Sequence, residues 1–265
     1  MNIKVYGSRA SIPFFSHKNI NFGGNTTCIR VETAGHTILL DAGSGLFQYM
    51  MDMGSTPVEA DILLGHLHLD HTIGLPMFKP LWQPSSKLRI LTKDRVGDGS
   101  LAAQVFGSFR PPYWPITLEK LSRAELVALP LEEKFILADG VTVTAIDSPH
   151  MDQTIAFRIE GDKTLVYLVD FEMPGSDVER YVNFCRGADL VIFDACYLPS
   201  DTDGRQGWGH STYESGLLLA ERAGCDRMLF THLNPEYGDA VLACESQLLA
   251  GTAHRFAFDG MEMIL

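Results

Sequence analysis

Three imidazoles and a carboxylate fall within six residues of one stretch, Gly65-His66-Leu67-His68-Leu69-Asp70-His71-Thr72-Ile73-Gly74-Leu75-Pro76. Neutral imidazole and carboxylate are ligands of borderline and hard divalent metals, and the absence of cysteine here argues against a purely structural zinc site. In an extended segment, side chains two apart project to the same side. His66 and His68 can therefore converge on one point, while Asp70 and His71, past the bend, aim at a second. The alternative is a solvated loop of histidines. The apolar residues leading into the stretch and its tight spacing favour a metal.

Such a site needs further donors, held by elements that bring them to the same place. Ala60–Gly65 reads as a short buried strand ending at the cluster. His150 follows Asp147-Ser148-Pro149 at the close of another strand, Asp170 ends the apolar run Leu165-Val166-Tyr167-Leu168-Val169, and His232 ends Met228-Leu229-Phe230-Thr231. Polar residues where buried strands reach a sheet edge are the usual address of function in layered α/β folds. Each alone reads as readily as a cap or a turn residue; together with the cluster they read as ligands.

The remaining elements follow from pattern. Ile3–Tyr6, Thr27–Thr33 and Thr37–Leu40 read as strands, with Ala34-Gly35-His36 as a hairpin turn. Phe78 to Leu131 is the least regular region, with a strand at Leu88–Thr92 and a Pro/aromatic segment around Phe109–Trp114. Strand signals resume over Lys134–Asp147, then over Thr154–Glu160 and Thr164–Asp170 around a Gly161-Asp162 turn. Helices at Val178–Cys185, Thr212–Ala223 and Ala240–Ala250 then alternate with strands Leu190–Asp194, Arg227–Thr231 and His254–Phe258. Ser211-Thr212-Tyr213-Glu214 fits a capping box. Sheets sandwiched between helical layers are expected, in one domain spanning 1–265.

Of 265 residues, 46% are hydrophobic, and 21 Lys+Arg against 33 Asp+Glu give a formal net charge of −12. That balance argues against a broad grip on long nucleic acid, whose backbone is held by Lys and Arg, and against a membrane surface. No apolar run approaches the roughly 20 residues needed to cross a bilayer, and the first residues read as a strand rather than a signal peptide. Five cysteines, odd in number and without a Cys-x-x-Cys, read as reduced thiols, so a cytoplasmic location is expected. His17, His36 and His254 read as surface or turn residues.

His66-Leu67-His68-Leu69-Asp70-His71 resembles the His-x-His-x-Asp-His signature of the metallo-β-lactamase fold, and His150, Asp170 and His232 follow in that family's order. Within the superfamily the chain is most similar to ribonuclease Z-like phosphodiesterases. The likeness rests on Gly7-Ser8-Arg9-Ala10-Ser11-Ile12-Pro13 with Gly24-Asn25-Thr26-Thr27, on Asp41-Ala42-Gly43-Ser44-Gly45, and on Gly209-His210-Ser211-Thr212, whose histidine lies 22 residues before His232. The resemblance implies a four-layer αββα fold and two divalent ions, zinc foremost, with manganese or iron as alternatives. One ion would be held by His66, His68 and His150, the other by Asp70, His71 and His232, with Asp170 bridging. Catalysis would use a water between the metals, oriented or deprotonated by Asp70, with His210 protonating the leaving oxygen. Helix-flanking loop hydrogen bonds are the alternative role for His210.

The chain departs from ribonuclease Z in two places. It lacks a Gly/Pro- and Lys-rich arm for transfer RNA, and where those enzymes carry His-Glu-Ala-Thr it reads Phe193-Asp194-Ala195-Cys196. Asp194 either orients His210 or simply ends a strand. These departures favour a small anionic phosphodiester, such as a cyclic nucleotide. The alternatives are ribonuclease Z-type RNA processing, hydrolysis of a lactone, thioester or β-lactam, and a non-catalytic metal-bound module. A redox di-iron protein is disfavoured, since that branch has Glu where His68 stands. Arg9, Arg110 and Arg205 are candidate phosphate contacts. Phe109–Trp114 reads as a cover over a sheet edge or a homodimer contact, with a base-stacking wall as the alternative.

Overall fold

The computed structural model describes residues 1–95 and 97–265. Strands β1 (Asn2–Gly7), β2 (Cys28–Thr33) and β3 (His36–Leu40) form an antiparallel meander. The chain then turns to right-sized crossovers: α1 (Gly45–Met53), β4 (Glu59–Leu63), α2 (Leu69–Thr72), β5 (Lys87–Thr92), α3 (Leu101–Phe106) and β6 (Glu125–Ala128), with β3 to β6 mutually parallel. The second half repeats this scheme. Strands β7 (Lys134–Ala138), β8 (Val141–Asp147), β9 (Ile155–Glu160) and β10 (Thr164–Leu168) are antiparallel neighbours. After α4 (Val178–Cys185), β11 (Leu190–Asp194), α5 (Tyr213–Ala223), β12 (Met228–Thr231), α6 (Asp239–Leu248) and β13 (Arg255–Phe256) continue from β10 in parallel. Finally β14 (Glu262–Ile264) returns to pair with β1. The sheet orders are β14-β1-β2-β3-β4-β5-β6 and β13-β12-β11-β10-β9-β8-β7.

Side-chain alternation explains the layering. Along β11, Leu190 and Ile192 join the core between the two sheets, while Val191 and Phe193 face the outer core under α4 and α5. A strand buried on both faces can be apolar throughout, as this one is until Asp194. On β2 only one face is fully buried, so Ile29 and Val31 meet the central core and Arg30 and Glu32 reach toward solvent. A third apolar cluster, including Leu39, Leu46, Tyr49, Ile62 and Phe78, lies on the outer face of the first sheet beneath α1. Helices, two sheets and helices make the four-layer αββα arrangement.

Several expected boundaries move for identifiable reasons. Lys134–Asp147 is two strands, because Asp139-Gly140 turns the chain with Gly140 at φ +75°. The cap of α5 is Thr212 rather than Ser211: the Thr212 hydroxyl accepts from the Ser215 N–H, whereas the Ser211 hydroxyl donates to the Phe171 carbonyl. In the aromatic segment, Phe109 is buried in the outer core with Trp114 against its edge, and Tyr113 stands in solvent. His36 is not a plain turn residue, since it begins β3 and its ring lies 2.8 Å from Asp61. Among the described residues, no helix is long and apolar enough to cross a membrane.

Candidate metal centre

Every parallel strand near the middle of the two sheets delivers a polar residue at its C-terminal end. Asp41 follows β3, Gly65 and His66 follow β4, Asp170 follows β10, Asp194 ends β11 and His232 follows β12. Asp41, Asp170 and His232 adopt φ of 60°, 55° and 60°. Asp and His are among the few residues that tolerate this left-handed region. The chain thus turns abruptly at the sheet edge, which suits side chains held for use rather than for packing.

These turns bring the sequence-predicted ligands together. His66, His68 and His150 place ring nitrogens within 4.8 Å of one another, as do Asp70, His71 and His232 with their ring nitrogens and carboxylate oxygen, and His66, His71 and Asp170. Asp170 stands between the groups: its Oδ2 lies 2.8 Å from His71 Nε2 and 3.5 Å from His232 Nε2, and its Oδ1 lies 3.5 Å from His150 Nε2. The side chains of His66, Asp70, His71, His150, Asp170 and His232 are buried, and His68 edges the opening.

Both nitrogens of His66, Nε2 of His71 and of His150, and Oδ2 of Asp170 are buried without a hydrogen-bond partner among the described residues. Buried polar atoms are nearly always satisfied, so this many orphans aimed at common points fit divalent cations. The outward-facing nitrogens of His71 and His150, by contrast, are fixed. His71 Nδ1 lies 2.8 Å from Asp41 Oδ2, which also accepts from the Tyr167 hydroxyl at 2.6 Å, and the Gly65 N–H donates to Asp41 Oδ1. His150 Nδ1 donates to the Gly209 carbonyl at 2.8 Å. Gly209 has φ +85°, and a Cβ there would come within 2.0 Å of His150 Nδ1, so only glycine allows this approach. Such outer partners select the tautomer that leaves the inner nitrogen free for a metal.

Electrostatics follow the same division. Burial drives the proton affinity of His66 well down, helped by the charge of His71. Burial opposes the charge on His71 and His232, but the surrounding carboxylates together, Asp170 foremost, outweigh it and hold both well up. Burial also opposes ionisation of Asp70; His71 and His232 prevail, so its carboxyl lies far below the usual range. The Asp70 Oδ2 also accepts from the Ser11 N–H at 2.7 Å, with Ser11 itself at φ +62°.

His210 lies beside this cluster, its ring stacked at 5.2 Å on His232 and 5.1 Å from His150. Its Nδ1 is 2.9 Å from Asp194 Oδ2. Asp194 therefore both ends β11 and orients His210, and it accepts from the N–H groups of Asp170, Cys196 and Ser211 as well. Burial lowers and Asp194 raises the His210 proton affinity, with a net upward shift.

Residues 36–233 match the beta-lactamase superfamily domain. The chain belongs to this family. It is a hydrolase of the metallo-β-lactamase fold. The ribonuclease Z of Bradyrhizobium sp. (strain ORS 278) is 26% identical over 288 aligned positions, covering 91% of this chain and 92% of that enzyme. Among solved structures, the metallo-β-lactamase fold protein YhfI from Bacillus subtilis superposes with a TM-score of 0.75 at 20% identity, over 99% of this chain and 98% of that one. A diphosphatase from the PhnP family gives 0.74 at 17% identity, over 100% and 97%.

Not every candidate reaches the site. Arg9 is wholly buried and donates to the carbonyls of Gly23, Asn234 and Tyr237, so it clamps loops and meets no phosphate. Arg110 is exposed within the aromatic segment. Arg205 does come close, through Tyr197. Sequence reasoning gave no role to Ser11, Tyr167 or Cys196. The last places its sulfur within 4.8 Å of the His210 and His232 nitrogens. Ser11 lies in a motif that carries the family likeness and Cys196 in one where the chain departs from it, whereas Tyr167 lies in an ordinary apolar run.

Proposed function

We propose that this protein is a dinuclear metal-dependent phosphodiesterase acting on a small anionic phosphodiester such as a cyclic nucleotide. The observation that carries this reading is the set of buried imidazole and carboxylate atoms left without partners beside a carboxylate-held His210. His66, His68 and His150 would hold one divalent ion and Asp70, His71 and His232 the other, with Asp170 shared. Zinc suits these donors, and manganese or iron are the alternatives. When bound, such a pair supplies an acidified water and charge stabilisation at the attacked phosphorus.

The protein's own groups do the rest. Asp70 stays ionised, so it accepts a hydrogen bond and orients the water rather than storing a proton. Asp194 fixes His210 through Nδ1 and raises its proton affinity, which leaves Nε2 to protonate the departing oxygen. An alkoxide needs that proton and a nitrophenolate does not. Accordingly, His210→Ala should depress hydrolysis of an alkyl phosphodiester by about 10²-fold or more, within the usual range for general acids, and that of bis(4-nitrophenyl) phosphate far less. Equal losses on the two would sink the role of His210.

A relative named ribonuclease Z supports a second reading, processing of transfer-RNA precursors. The net charge of −12 speaks against it. Metal analysis, followed by a panel of cyclic nucleotides, dinucleotides, aryl phosphodiesters and one precursor transfer RNA, with His66→Ala as control, decides between the two. Activity confined to the RNA would replace the small-substrate reading. Activity only on a lactone or thioester would replace both.

A further inference from the structure

One carboxylate outside the predicted ligand set touches that set. Asp152 Oδ2 lies 2.5 Å from His68 Nε2, although the two residues stand 84 positions apart. The His68 side chain is 38% exposed and that of Asp152 66%. An exposed pair of this kind contributes little to folding, so its value lies in what it does to the ring. His68 forms a candidate metal position with His66 and His150, and its ring centroid is 4.2 Å from that of His66. With Nε2 engaged by Asp152, Nδ1 is the nitrogen of His68 left to face that position.

The connection between β8 and β9 is shaped to deliver this carboxylate. Its ends are tied by the Ser148 N–H, which donates to the Thr154 carbonyl at 2.8 Å, and the Thr154 hydroxyl donates to the Met151 carbonyl at 2.9 Å. Asp152 and Gln153 turn the chain at φ of 60° and 55°, in the left-handed region that Asp accepts better than most residues. From outside the loop, the buried Arg95 donates through Nε to the Asp152 carbonyl at 3.3 Å. One turn thus places a predicted ligand, His150, and two residues later the partner of another. Among the described residues, the outer backing of this ligand group is the Gly209 carbonyl at His150 and Asp152 at His68, whereas His66 has no partner at either nitrogen.

We propose that Asp152 is a positioning residue for His68: it keeps the ring proton on Nε2 and so presents Nδ1 to the ion shared with His66 and His150. The inference rests on the two-ion reading above and deepens it by assigning the nitrogen that binds and the group that selects it. Asp152 acts through the ring and is not itself a ligand. A carboxylate behind a histidine also makes the ring a stronger donor to a metal. Solvent reaches this pair, so its effect on affinity belongs near the lower end, about tenfold, of what such outer partners contribute.

Long-range ¹H–¹⁵N spectra of the zinc-loaded protein read the tautomer directly, with the His68 signals assigned by their loss in His68→Gln. In wild type the His68 proton should sit on Nε2, and Nδ1 should carry the shift of a metal-bound nitrogen. A proton on Nδ1 would overturn the proposal, whatever any Asp152 variant does. Zinc titration against a chromophoric chelator supplies the second readout. Wild type should bind two ions, and His68→Gln marks the binding step that depends on His68. Asp152→Gly, which keeps the left-handed turn free of strain, should weaken that step about tenfold and leave the other unchanged. Asp152→Asn retains an acceptor for the Nε2 proton and should lose less. Unchanged affinity in Asp152→Gly, or equal weakening of both steps, would overturn the positioning role and leave the two-ion reading standing. Fewer than two ions bound by wild type would instead overturn that reading, and the inference with it.

Discussion

Among the described residues, two clusters combine imidazole with buried carboxylate, and they are finished in opposite ways. On the first sheet, Asp61 of β4 has both oxygens occupied: Oδ1 accepts from Arg89 Nε at 2.6 Å, and Oδ2 accepts from Arg89 Nη2 at 2.5 Å with His36 Nε2 at 2.8 Å. Arg89 also donates to the Leu137 carbonyl, tying β5 to β7 across the two sheets. At the sheet edge, Asp170 stands among five imidazoles, yet its Oδ2 and several facing nitrogens have no hydrogen bond among the described residues. The first cluster closes on itself with a fork-shaped cation and contributes to folding. The second is open, and its missing partner has to come from outside. Saturation of the donors separates a structural cluster from a binding one, more than residue type or burial does.

Removing the carboxylate from each cluster should break the molecule in different ways. Asp170→Asn replaces a charged, shared ligand by a neutral amide. Activity on phosphodiesters should fall on the order of a thousandfold or more, corresponding to several kcal/mol of transition-state stabilisation. Metal content by elemental analysis should fall with it. Asp61→Asn should leave metal content and turnover nearly intact while lowering the unfolding free energy by about 2–3 kcal/mol. That is below the 3–5 kcal/mol typical of a broken buried ion pair, because the Arg89 side chain keeps 28% exposure and so part of its hydration. A loss of metal in Asp61→Asn as large as in Asp170→Asn would erase the distinction.

Asp41 tests the border between the two behaviours, since it is closed toward the protein and acts on the open cluster only through His71. Its Oδ2 meets both His71 Nδ1 and the Tyr167 hydroxyl, a contact that crosses from one sheet to the other. Asp41→Asn keeps the shape and loses the charge that fixes the His71 tautomer. Metal affinity, measured by competition with a chromophoric chelator, should weaken about 10- to 100-fold, about 1.4–2.7 kcal/mol. An unchanged affinity would show that the burial of His71 alone suffices to orient it.

The candidate ligands were legible because their signal is local: the spacing from His66 to His71 needs no knowledge of which strands pair. Strand ends at Asp170 and His232 were legible for a similar reason, an apolar run halted by a polar residue. The contacts of Tyr167, Asp41 and Ser11 are not legible, although Asp41 and Ser11 lie in motifs that carry the family likeness, because they depend on how the sheets face each other and on turns at positive φ. Tyr167 reads as one more core residue of β10, and only the juxtaposition with Asp41, 126 positions away, gives its hydroxyl a task. Helix α1 is not legible in the sequence, because Gly45-Leu46-Phe47-Gln48-Tyr49 follows a glycine-rich turn that reads as loop. The layered α/β class survived these omissions, since the periodicity of the long central strands determines it. Arg9 misled in the opposite direction: an arginine in a functional motif suggests a ligand contact, and here it holds three carbonyls in the interior.

The smallest expected effect comes from pH, and it bears on the closed cluster. Burial pushes the Asp61 carboxyl up, but His36 and Arg89 more than offset this, leaving it below the ordinary range for Asp, which is about 3.9. A carboxyl depressed on folding stabilises fully above its unfolded value and loses that contribution as pH falls through the folded one. The stability gap between wild type and Asp61→Asn should therefore be fully present at about pH 5 and shrink from about pH 4 downward. Metal ligands also protonate in acid, but that loss is common to both proteins and cancels in the difference. Urea unfolding of the pair at neutral pH and at pH 3 measures the gap directly. A gap that widens in acid would mean that Asp61 is protonated in the folded state and that its contacts with Arg89 and His36 are not ionic, which would remove the contrast with Asp170.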